Sequence, residues 1–225
     1  MIIWIIFGLV ALFSYLIQSG LKKRIEEYSK ITIPNGMTGK DVAEKMLHDH
    51  GIRDVKVETT SGFLTDHYNP QTKVINLSRD IYYGNNVSAA AVAAHETGHA
   101  VQHAQSYAFL KLRSALVPSV SFASKWVQWV LLLGVLMVES FPMLLLVGIC
   151  LFAMTTLFSL VTLPVEINAS ARALAWLEGS HITAGETQVK AKKALSMAAY
   201  TYVIAALSSL ATLFYYVMIF MNRRD

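Results

Sequence analysis

Residues 141–163 read FPMLLLVGICLFAMTTLFSLVTL, 23 positions without a charged side chain. A helix needs about 20 residues to cross the ~30 Å hydrocarbon core of a bilayer, so this run is long enough to span. Directly behind it comes PVEINASARALAWL, residues 164–177, where Glu166 is the first acid after Glu139. Composition points the same way: 54% of the chain is apolar and only 15% charged, against about 25% charged in ordinary soluble proteins. The chain therefore reads as a mainly α membrane protein.

Working outward, residues 115–138 are mostly apolar but carry Pro118, Lys125 and Gln128. With 141–163 they form a hairpin turning at Glu139-Ser140-Phe141-Pro142. Residues 195–221 are a further uncharged run, ending in Asn222-Arg223-Arg224-Asp225, and residues 1–17 are another, followed by Lys22-Lys23-Arg24. The positive charges follow the first run instead of preceding it, so it reads as a retained anchor with an outside N-terminus and not as a cleaved signal. About four transmembrane helices result, 115–138 being the least regular.

This divides the chain into an anchor (1–19), a polar α+β insert (20–114), a transmembrane hairpin (115–163), a membrane-proximal helix and connector (164–194) and a C-terminal span with its tail (195–225). Lys and Arg number twelve in 18–114, four in 164–194 and none at 139–140. Both large polar segments should then face the cytoplasm, although Arg223 and Arg224 fall on the outer side. A multi-pass protein of the cell membrane is expected, with the lipid bilayer as a partner. Basic residues beside the spans and anionic lipid account for the net charge of +4, and nothing resembles a nucleic-acid module. The single cysteine, Cys150, sits inside a span, where it forms no internal disulfide and is expected to pack.

Inside the polar insert, His95-Glu96-Thr97-Gly98-His99 has the HExxH arrangement of zinc hydrolases. Positions i and i+4 share one helix face, so both imidazoles can bind one ion while Glu96, about 100° round the helix, reaches the water to be activated. The surroundings favour a helix: SAAAVAA at 88–94 is a strong helix former, Asn86 or Ser88 can cap its start, and AVQHA at 100–104 continues it. A solvated polar stripe holding two histidines by accident is the bland alternative. The apolar surroundings argue against it, because a buried ionised Glu is costly without a partner.

The rest of the insert reads as a small α+β, zincin-like unit. Thr38 caps a helix running to about His50, with Val42, Met46 and Leu47 on one face and Gly51 as its stop. Residues 54–59 (DVKVET) alternate like a half-buried strand. Residues 63–68 and 73–77 flank the turn Asn69-Pro70-Gln71-Thr72. Two readings of that hairpin stand: Val74 to Leu77 as an exposed edge pairing with an extended substrate, or the hairpin as a cover.

Catalytic zinc takes three protein ligands and keeps one position for water. His103 is another i+4 step, but eight residues of helix put it about 12 Å along the axis from His95. It is better read as lining the site or meeting the interface. Among the acids beyond the motif, Glu139 lies in the outer turn, and Glu178 and Glu186 resemble ordinary surface charges. Glu166 differs. It follows Pro164 and opens a helix 165–177, where the helix dipole also favours an acid, yet Asn168, Ser170 and Arg172 accompany it. The third ligand is therefore expected at Glu166.

HETGHAVQ together with PVEINASARAL, over a chain with this order of spans, resembles the YugP-like neutral zinc metallopeptidases of bacterial membranes. The layout is similar, more distantly, to HtpX-type and CAAX prenyl endopeptidases. The resemblance implies one Zn²⁺ per chain held by His95, His99 and Glu166, with Glu96 as catalytic base. The more distant group has an Asp four residues after its ligand Glu, where this chain has Ser170, so a carboxylate role there does not carry over. The expected activity is hydrolysis of peptide bonds near the cytoplasmic membrane face, with protein or peptide substrates that include membrane proteins. Asn168, Arg172 and His181 are candidates for stabilising the oxyanion. An intramembrane protease would need a distant Asp ligand in a later span, which is absent. A non-enzymatic metal-binding membrane protein is the remaining alternative, though structural zinc sites are normally closed by four ligands and rich in Cys. Substrate identity and oligomeric state are not readable from the sequence.

Overall fold

The computed structural model describes residues 2–222, and side chains from residue 8 onward. Its elements in order are α1 (Ile2–Tyr28), α2 (Gly39–Asp49), β1 (Lys56–Thr60), β2 (His67–Asn69), β3 (Val74–Ser78), α3 (Arg79–Tyr82), α4 (Val87–Ala104), α5 (Ala108–Leu136), α6 (Pro142–Gly179) and α7 (Glu186–Met221). The protein is mainly helical, with one small sheet. Two compact units emerge: one of residues 1–15, 111–164 and 202–225, the other of residues 16–110 and 165–201.

The first unit is apolar. Three helices, α5, α6 and α7, are long and apolar enough to cross a membrane. Their most apolar windows are only 17%, 28% and 6% buried, so most of this surface faces outward, as lipid contact requires. Four spans were expected. α1 is helical but is not among the three, and its expected span begins in residues whose side chains lie outside those described. Within the unit, Leu131, Leu145 and Ile149 form a small core. Gly134 and Gly148 let α5 and α6 approach, since a Cβ on Gly134 would stand 2.6 Å from the Leu145 Cα, the small-residue packing common between membrane helices. Cys150 is exposed on α6 and does not pack as expected.

Several hydroxyls in this unit bond to their own helix: Thr155 donates to the Phe152 carbonyl, Ser208 to Ile204 and Thr212 to Ser208. One pair crosses between helices, Thr156 with Ser209 at 2.7 Å.

The second unit is built around α4. Asn86 caps this helix by accepting from the Ala89 N–H. Alanines at 89–91, 93 and 94 are all buried, so the helix is enclosed on every side and its small residues let neighbours come close. α2 packs against it with Val42, Ala43, Met46 and Leu47 buried, each large side chain contributing about 1.5–3 kcal/mol. Thr38 caps α2 as the sequence implied, and with Asp41 it completes a capping box. At the start of α4, the buried Ser88 hydroxyl donates to the Ile25 carbonyl of α1 at 2.8 Å.

The sheet order is β1-β3-β2, with β1 parallel and β2 antiparallel to β3. β3 is therefore the central strand, and the expectation that Val74 to Leu77 offers a free edge is corrected. Both of its sides are already paired; the outer strand next to α4 is β2.

A second correction concerns Pro164. The expected break there is absent, because α6 is one helix of 38 residues with Pro164 inside it. Proline removes one helical hydrogen bond and crowds the preceding turn, but in apolar surroundings the remaining backbone bonds are better kept than exposed. Glu166 consequently sits in mid-helix, and the dipole of a helix start does not explain it. α7 likewise begins at Glu186, within what reads in the sequence as connector.

Candidate metal centre

α4 and α6 cross almost backbone to backbone within the second unit. A Cβ on Gly98 would stand 2.7 Å from the Ala169 carbonyl oxygen, so only glycine allows the approach. Each helix then presents a one-turn pair to the other: His95 and His99 from α4, Glu166 and Ser170 from α6. The spacing i, i+4 puts each pair on one face, and the close crossing brings those faces together.

At the centre, Glu166 Oε2 lies 3.3 Å from His95 Nε2 and 3.4 Å from His99 Nε2. The three form a group of ligand atoms all within 4.8 Å of one another. Bond lengths of about 2.0–2.2 Å in a tetrahedral zinc site imply ligand-to-ligand edges of about 3.4 Å, and the two separations from Glu166 match. Glu166 Oε2 is also buried without a hydrogen-bond partner, and orphaning a charged acceptor is expensive. Two ring nitrogens and one orphaned carboxylate oxygen converging on a point are the donor set a divalent zinc-type cation satisfies.

The other ring nitrogens are held from behind. His95 Nδ1 is 3.0 Å from the Ser170 hydroxyl, and His99 Nδ1 is 3.1 Å from Gln102 Oε1. Engaging Nδ1 turns Nε2 toward the shared point, the usual arrangement behind a metal-binding histidine. Ser170 thus holds a histidine with a hydroxyl at the position where the sequence left a carboxylate role unsupported. Gln102, fully buried, also donates to the Val165 carbonyl at 2.8 Å and to Asn168 Oδ1 at 3.0 Å.

Glu96 projects from α4 about 100° round from His95, toward β2. Its Oε2 accepts from the Tyr68 N–H of β2 at 3.1 Å, which fixes the carboxylate in a largely buried position. Among the described residues its other oxygen accepts from none. β2 is secured in turn: Asp66 accepts from the Ser78 N–H at 2.7 Å and from the Ser78 hydroxyl. Burial pushes the Asp66 carboxyl up, against these donors, which pull it down. Because the outward N–H of β2 is occupied by Glu96, the hairpin acts here as a cover that orients the carboxylate.

His103 stands outside the trio, with its Nδ1 2.8 Å from the Tyr68 hydroxyl. It lines a small pocket with Tyr68, Ile52, Val55, Lys73 and Ala100, which includes none of His95, Glu96, His99 and Glu166. Asn168 and Arg172 lie beside the trio but are engaged with each other and with Gln102 and Gln105. His181 is exposed in the turn between α6 and α7, with φ of 56°, and makes no hydrogen bond or ion pair with the trio.

Gln102 and Tyr68 were not singled out in the sequence. Gln102 left a trace there, as an isolated polar side chain one turn beyond His99 in an alanine-rich helix. Tyr68 left none, since its contribution is a backbone N–H.

Fold and site together define a helical protein with apolar helices and a two-histidine, one-glutamate centre, and the chain belongs to the family described as "Putative neutral zinc metallopeptidase", which matches residues 3–221. Among curated proteins it is 44% identical over 212 residues to the "Putative membrane protease YugP" of Bacillus subtilis (strain 168), covering 94% of this chain and 93% of that one. No solved structure matches.

Proposed function

We propose that this protein is a membrane-embedded, zinc-dependent endopeptidase. The observation that carries the reading is the convergence of His95 Nε2, His99 Nε2 and the orphaned Glu166 Oε2 on one point. Family membership and the relative's name support it. One zinc ion per chain would be held by these three residues. When bound, zinc supplies Lewis acidity, making water nucleophilic near neutral pH and polarising a carbonyl.

Glu96 is the general base. Its Oε2 is held by the Tyr68 N–H, so its other oxygen takes the proton from water and passes it to the leaving amine nitrogen as the peptide bond breaks. Ser170 and Gln102 keep the two imidazoles facing the ion, and Gly98 keeps α4 and α6 close enough for Glu166 to share it. Such a poised carboxylate beside the trio has no purpose in a site that only stores or displays metal.

The chain is proposed to be multi-pass, with 18–114 and 164–194 on the cytoplasmic side, supported by their content of Lys and Arg. Glu166 follows the uncharged run 141–163 by three residues, about 4.5 Å of helix rise. Protein or peptide substrates near that membrane face, membrane proteins among them, follow from this position.

Glu96→Gln tests the mechanism. Purified protein carrying it is expected to bind zinc like the parent and to lose peptide hydrolysis by about 10²–10⁴-fold or more, the contribution of a general base. Equal cleavage of a casein or membrane-protein substrate by Glu96→Gln and parent would remove Glu96 from the mechanism.

A further inference from the structure

We infer that Arg172, Asn168 and Gln102 form a directional relay that sets which ring nitrogen of His99 carries its proton. The inference rests on the reading of His95, His99 and Glu166 as metal ligands, and it concerns three residues that touch no metal.

The direction follows from what each group can do. A guanidinium has five N–H donors and no acceptor. Arg172 Nε lies 2.7 Å from Asn168, so the Asn168 amide must turn its oxygen to it. That same oxygen lies 3.0 Å from the Gln102 amide, so Gln102 must present its NH₂ there. The Val165 carbonyl, an acceptor only, demands the same NH₂ at 2.8 Å. With its nitrogen so committed, Gln102 can offer His99 only its oxygen, at 3.1 Å from Nδ1. His99 Nδ1 must therefore carry a hydrogen, and the lone pair of the neutral ring falls on Nε2, the atom that faces Glu166.

Arg172 is itself aimed by a second acceptor, since its Nη1 donates to Gln105 Oε1 at 2.6 Å. The relay therefore begins at a cation on α6 tied to the end of α4 and returns to α4 at Gln102 and His99, bridging the two helices twice. His95 has no such device. Its partner, the Ser170 hydroxyl, can donate or accept by rotating, and so does not choose a tautomer. These three are positioning residues: they act on the ligand and not on substrate.

Near-isosteric variants separate this relay from a packing role. Asn168→Asp keeps an acceptor for both Arg172 and Gln102 and should hold zinc close to the parent value in chelator competition. Asn168→Leu removes the acceptor at similar volume and should weaken zinc by about 10- to 100-fold, the usual cost of losing a partner behind a ligand. Gln102→Leu, which offers His99 no acceptor, should weaken it as much at similar volume. In the zinc-loaded parent and Asn168→Asp, ¹⁵N-histidine spectra should show His99 protonated at Nδ1 and bound through Nε2, and circular dichroism should show all variants equally helical. If the parent binds zinc and both Asn168→Leu and Gln102→Leu bind it equally well, the relay is overturned while the metal centre stands. If Asn168→Asp loses zinc as fully as Asn168→Leu, the directional argument also fails. A parent that takes up no zinc overturns the metal reading, and the relay with it.

Discussion

The two units handle buried polarity in opposite ways. In the apolar unit, several hydroxyls satisfy themselves on the preceding turn, as Thr155, Ser208 and Thr212 do. In the unit that carries the site, the important bonds reach across 60 to 75 residues of sequence: Gln102 to Val165 and Asn168, and His95 to Ser170. Self-satisfied hydroxyls make a helix indifferent to its neighbours, which suits a segment bathed in lipid. Long-range bonds to a pair of histidines make two helices dependent on each other, which a shared metal requires. α6 belongs to both regimes, uncharged before Pro164 and furnished with Glu166, Asn168, Ser170 and Arg172 after it.

Five substitutions set these regimes against each other. The largest effect is expected from Glu166→Gln, which keeps shape and removes the charged ligand. Zinc affinity should fall by more than the 10- to 100-fold typical of residues one layer behind a ligand, with helicity unchanged. Unaltered metal content would place the third ligand elsewhere.

Gly98→Ala comes next, because its Cβ would press on the Ala169 carbonyl. Overpacking of this kind costs about 1–3 kcal/mol, and both the melting temperature and zinc affinity should drop. Gly134→Ala, equally crowded against Leu145, is the matched control in the apolar unit: it should lower thermal stability and leave zinc affinity alone. If Gly134→Ala weakened zinc as much as Gly98→Ala, the separation of the two regimes would be lost.

Ser170→Ala frees His95 Nδ1 from its partner and should weaken zinc toward the lower end of the 10- to 100-fold range, measured by the same chelator competition. Retention of full affinity would make the hydroxyl incidental. The smallest effect is expected from Thr156→Val, which removes the hydrogen bond to Ser209. Such bonds between membrane helices average about 0.6 kcal/mol, so unfolding in detergent should shift only slightly and metal binding not at all.

Much of this arrangement was legible in the sequence, for identifiable reasons. Uncharged runs announce themselves through length alone, and α6 and α7 contain the runs expected of them. The α2 cap at Thr38 and the hairpin around Asn69-Pro70 are short-range chemistry, and both appear. The HETGH pentad needs only helical periodicity to place two imidazoles together. Glu166 was reachable because acids are so scarce after residue 80 that elimination isolates it.

Other features were hidden because they depend on partners distant in the chain. Pro164 reads locally as a helix break, yet the helix continues through it. β3 reads as the strand nearest the metal helix, but β1 pairs in parallel on its other side and leaves β2 as the cover. The roles of Ser170 and Gln102 become visible only when α4 and α6 are brought together at Gly98.

The most direct measurement is zinc-edge anomalous diffraction from the zinc-loaded protein. One peak per chain, bounded by His95 Nε2, His99 Nε2 and a Glu166 carboxylate oxygen, is the expected result. A peak at other residues, or none from protein saturated with zinc, would contradict the three-ligand centre on which the proposed peptidase activity depends.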